Sequence, residues 1–166
     1  MTARVTVEDQ SASGLTRNRI LQGLTRRGFA PGASPWTVWL GTAAILAGAS
    51  LIIATAAIHL HLWLSGYRHV PKLDVLFLAQ AIAGFVLGPL IAAGRQLILT
   101  LGGALYMASS AGGLILSATI GFVGIHDGLD VPWAATSLVV ELIGFVVFVL
   151  AGAIAVRPLL RGGSAG

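Results

Sequence analysis

Glu141 has the most chemistry to offer in this chain, because it interrupts an apolar run that extends from Val131 to Val156. A carboxylate surrounded by hydrocarbon costs roughly 3 kcal/mol on insertion scales, so its side chain must face protein or water. There it can carry a proton, receive a ligand or contact a subunit. The plainer reading, and the favoured one, is a carboxylic acid hydrogen-bonded to Gln80 or a histidine, tying helices together. His59, separated from His61 by Leu60, is the second candidate. Imidazoles ligate zinc, copper and haem iron, and a carboxylate can complete such a site. Each helical step turns about 100°, however, so these two histidines point about 200° apart. At most one faces the interior, and the other belongs at the membrane interface beside Trp63. His126 is the third candidate ligand, in the short acidic stretch His126-Asp127-Gly128-Leu129-Asp130. That stretch lacks the density of oxygen ligands of a roughly 12-residue calcium loop. Asp130 is accounted for as a helix N-cap before Val131 and Pro132. The chain has no cysteine, which removes disulfides, thiolate catalysis and Cys-based metal sites. It also has no nucleophile elbow, phosphate loop or HExxH motif.

The elements that position these residues follow from composition. Of 166 residues, 56% are hydrophobic and 10% charged, and the mean hydropathy is +0.89. An ordinary soluble domain carries about 25% charged residues, so lipid has to cover this surface. A span needs about 20 apolar residues, and four segments qualify: 36–64, 73–93, 97–123 and 131–156. Residues 73–123 as one helix would be about 76 Å long, too long for one crossing. Gly94-Arg95-Gln96 is therefore a tight turn. Short connections predict an all-α, antiparallel four-helix transmembrane bundle in up-down order. Residues 1–35 form a basic segment in which Gly14 to Phe29 can be an amphipathic helix on an anionic leaflet or a disordered tail. Residues 157–166 form a tail.

Orientation is read from Lys and Arg beside the spans. Arg4, Arg17, Arg19, Arg26, Arg27, Arg95, Arg157 and Arg161 lie on one side, against Arg68 and Lys72 on the other. The richer side is cytoplasmic, so both termini are expected inside. Trp36 and Trp39 anchor the inner end, and Trp63, Tyr67 and Trp133 the outer end. His59, His61, His69 and His126 then all lie toward the outer face, as do Asp74, Asp127 and Asp130. Gln80 and Glu141 lie about 10 and 15 Å inside their helices, and His59 about 7 Å from its helix end. Together they predict a polar cavity opening outward. Small residues at four-residue spacing predict close helix packing at Gly84 and Gly88, and at Gly113, Ser117 and Gly121. Pro89 is expected to kink the second helix.

The stretch from His59 to Gln80, HLHLWLSGYRHVPKLDVLFLAQ, resembles the first outer junction of a group of small actinobacterial four-helix membrane proteins, which reads roughly HLxLW–GYRxIPTIGxLFLLQ. The resemblance implies an actinobacterial plasma membrane and adds no activity. The chain departs from it at Val70 and at Lys72-Leu73-Asp74. Within the junction Tyr67 is an interface anchor, Arg68 a partner for phosphate or Asp74, and Pro71 a stop before the second helix. A binding role of this loop is the alternative.

No complete catalytic constellation is present, which favours a non-enzymatic accessory, assembly or structural component of a plasma-membrane complex, with no cofactor. Its partners are the lipid bilayer and another membrane protein or a second copy, and the placement of the basic residues argues against nucleic acid. Two alternatives stand beside it: a redox protein holding haem, metal or quinone through His59 or His61, His126 and Glu141, and a small oligomeric transporter or channel with Glu141 in its path.

Overall fold

The computed structural model describes residues 22–25, 28–29, 33–121 and 131–161. Helices α1 (Pro35–Leu64), α2 (Leu73–Gly94), α3 (Leu97–Thr119) and α4 (Ala134–Arg161) account for nearly all of them, with no β-strand among the described residues. All four helices are long and apolar enough to cross a membrane. Of the proposed N-terminal amphipathic helix, residues 22–25 are helical and most of the remainder lies outside the described residues.

Local chemistry sets the helix ends. Ser34 caps α1 by accepting from the Thr37 amide at 3.2 Å, and Pro35 at the first helical position gives up only an amide that has no intrahelical partner. After Leu64 the chain reverses through Gly66, whose φ of 148° suits a residue without a Cβ, and a single 3₁₀ turn at Tyr67–His69. Arg95 closes α2 in the left-handed conformation at φ 47°, its amide donating to the Ile91 carbonyl at 3.0 Å. That one residue and Gln96 complete the reversal into α3. Two boundaries differ from the hydropathy reading. α3 stops at Thr119, four residues short of Val123, and α4 begins at Ala134 and runs past Val156 to Arg161. Hydropathy reports where a chain is apolar. It does not report where backbone hydrogen bonding stops, and Ile120, Gly121 and Val131 are apolar residues outside the helices.

α1 packs on α2 and α4, and α4 packs on α3, whereas α2 and α3 touch sparingly despite their short connection. The core holds Ile45, Ile52, Ile91, Met107 and Phe148. Glycines allow the close approaches. The Phe148 ring fills the space where Cβ atoms would stand on Gly48 and Gly103, each 2.7 Å from a ring atom. Gly84 and Gly88 both face α1: a Cβ on Gly84 would lie 2.7 Å from that of Ala56, and one on Gly88 2.7 Å from Cγ1 of Ile53. The stripe expected on α3 behaves differently. Nothing lies within 4 Å of a Cβ on Gly113, Gly113 and Ser117 line a cavity, and Gly121 lies beyond the helix end at φ 84°. Four-residue spacing marks a face of a helix, and here part of that face borders open space. Pro89 sits exposed inside α2, which continues through it to Gly94.

Candidate functional site

The start of α4 at Ala134 brings the polar residues to one level. Glu141 and Gln80 each lie seven residues into their helices, about 10 Å, and His59 lies five residues from the end of α1. Glu141 is 1% exposed. Its Oε1 accepts from Ser110 Oγ at 2.6 Å and from Ser137 Oγ at 2.8 Å. Both distances are short, as suits hydroxyl donors on a carboxyl oxygen. The expected direct partner, Gln80 or a histidine, is replaced by these two serines. Ser137 stands one turn before Glu141 on α4, and Ser110 reaches across from α3.

His59 joins this pair through Ser110. Its Nδ1 lies 2.9 Å from the Thr55 carbonyl, one turn back. A carbonyl only accepts, so Nδ1 carries the hydrogen, leaving Nε2 to face Ser110 Oγ at 3.4 Å. The Phe77 ring meets the imidazole edge-on at 5.4 Å, and Tyr67 lies 4.8 Å from Phe77. His61 is exposed, its ring 5.6 Å from that of Trp133. The two histidines are thus separated as their spacing requires, and His61 meets Trp133 where Trp63 was the expected neighbour. His126, Asp127 and Asp130 lie outside the described residues, among which no three His, Asp or Glu side chains converge as a metal would need.

Gln80 uses its backbone carbonyl to accept from the Tyr106 hydroxyl at 2.9 Å, joining α2 to α3. Its side-chain Nε2 and the second carboxyl oxygen of Glu141, Oε2, are buried and find no hydrogen-bond partner among the described residues. A buried polar atom left so costs about 1–3 kcal/mol. Both residues line a cavity of about 160 Å³ at this end of the bundle. His59, Ser110, Ser117 and Ser137 add polar groups to it, and Leu62, Leu76, Phe77 and Leu114 make most of the remainder apolar.

The chain matches no known family, no curated protein and no solved structure. The chemistry of the site therefore rests on its own geometry.

The junction residues fall at the rim. Tyr67 lines the cavity. Arg68 is exposed and donates from Nε to Nε2 of His69 at 3.1 Å; of its two expected partners, phosphate or Asp74, this contact takes the place of Asp74. Pro71 is exposed ahead of Lys72, which takes φ 76° at the start of α2. Sequence reasoning missed Ser110 and Ser137. The spacing Ser137 to Glu141, one helical turn, was a visible signal for the second. For Ser110 there was none, since nothing local in α3 shows which of its hydroxyls turns toward α4.

Proposed function

We propose that this chain is a multi-pass membrane protein with both termini in the cytoplasm, acting as a non-enzymatic accessory, assembly or structural component of a complex in a bacterial plasma membrane. The observation that carries this reading is the way Glu141 is used. Its Oε1 is committed to serines on two helices, so the costly polar group joins elements of the bundle. Outward faces are apolar, with Val75, Ile82, Leu105 and Val149 each about half exposed or more, and they suit lipid or another membrane protein. The actinobacterial membrane suggested by the His59–Gln80 stretch is part of this proposal.

Gentle solubilisation of native membranes with a tagged chain, followed by identification of co-purifying membrane proteins, tests it. A stoichiometric partner supports an accessory or assembly role. A chain that purifies alone and catalyses turnover or ion flux in liposomes overturns it.

A further inference from the structure

The cavity is a binding site rather than a packing fault: we infer that it takes an uncharged phenolic ring, with the ring among the aromatic side chains and the hydroxyl directed to Gln80 and Glu141. This goes beyond the proposed accessory role and stands or fails separately from it.

Size sets the first limit. A dry cavity of about 150 Å³ lined by Leu, Ile and Phe accommodates benzene, and this one, which is partly open, has about 160 Å³. One six-membered ring fits. Phe77, Tyr67 and His59 form a connected set of ring contacts along the wall, and edge-to-face or offset packing against such rings favours an aromatic guest over an aliphatic one of equal area.

Charge sets the second limit. Among the described residues no Lys or Arg lines the cavity, so an anionic head would meet no counter-charge from them. Glu141 and His59 are linked through Ser110. A net charge in such apolar surroundings is costly, and one proton held by either member leaves the pair neutral overall. A cationic head is therefore not called for either.

Hydrogen bonding sets the third. Oε1 of Glu141 already accepts two serine hydrogens, so Oε2 presents either a lone pair or the acid proton. A hydroxyl can donate to the first or accept from the second, and its oxygen can also accept from Gln80 Nε2. Carbonyl, ether and hydrocarbon groups meet fewer of these demands. The same chemistry is offered by a free small phenol and by the ring of a hydroquinone on a lipid tail.

The test uses full-length protein in phosphatidylcholine nanodiscs, with 4-fluorophenol and 4-fluorotoluene titrated by fluorine NMR and empty nanodiscs as the measure of partitioning. The expected result is saturable binding of 4-fluorophenol about tenfold tighter than of 4-fluorotoluene. Gln80→Met, which keeps length and removes the donor, should reduce that preference severalfold and leave 4-fluorotoluene binding unchanged, and an undiminished preference would remove Gln80 from the site. Competition then separates the sources: decyl-hydroquinone displacing the probe at lower concentration than hydroquinone indicates a lipid-borne ring, and equal displacement indicates a free phenol. Equal affinity for the two fluorinated probes overturns the proposal, because the cavity would then be reading only apolar area. Absence of saturable binding above the empty-disc level also overturns it, leaving a cavity that holds water alone.

Discussion

Glu141 separates structural from reactive use most sharply. A glutamine there keeps one carbonyl oxygen to accept from Ser110 and Ser137, whereas leucine deletes the acceptor and strands both hydroxyls. Glu141→Gln should thus be nearly neutral in thermal unfolding in detergent, and Glu141→Leu should destabilise by about 0.5–2 kcal/mol, the range of interhelical hydrogen bonds in membrane bundles. A Gln variant as unstable as the Leu variant would show that the carboxyl group itself, rather than an acceptor at Oε1, holds the helices. Ser110→Ala removes the hydroxyl that donates to Glu141 and lies against His59 Nε2. It should cost about 1 kcal/mol in the same assay, and a cost of zero would mean that these contacts contribute nothing to the fold.

Among the elements, glycine use distinguishes contact faces from cavity walls. A methyl group on Gly84 would meet Tyr106 Oη at 2.5 Å and the Ala56 Cβ at 2.7 Å. Ala56 cannot yield without moving α1, so Gly84→Ala should lower stability by about 1–3 kcal/mol. Gly112 in α3 has nothing within 4 Å of the added atom. Gly112→Ala should instead raise stability by about 0.5–1 kcal/mol through helix propensity. Unfolding midpoints that moved the same way for both would contradict the assigned faces. This contrast also shows what was legible in the sequence. The four apolar runs, the reversal at Arg95 and the opposed directions of His59 and His61 all follow from length, turn chemistry and the 100° step. The outcome for Gly113, Ser117 and Gly121 does not. A spacing rule names the residues on one face, but which face meets a helix and which meets a cavity depends on how α2 and α3 diverge beyond their turn. The commitment of Ser110 to Glu141 likewise depends on helix rotation, which no local pattern encodes.

At the scale of the whole molecule, few buried polar groups and many exposed apolar ones among the described residues give a bundle whose outer faces suit lipid. Ile52, Ala56, Ile91, Met107 and Ala151 are wholly buried, while Trp36 and Trp39 on the first turns of α1 are 71% and 72% exposed. In water, so much exposed apolar surface would drive association. In a bilayer it is the favourable surface, and exposed tryptophans at a helix end suit the headgroup region. In the proposed reading, the distribution of Lys and Arg favours one of two orientations. Reporter fusions along the chain in living bacteria, using an enzyme active only outside and a fluorophore bright only inside, measure both properties together. The account predicts cytoplasmic signals for fusions after Arg95 and Gly166 and external signals for fusions near Lys72 and Gly128. An external signal at Arg95 would contradict the four-span, termini-in arrangement.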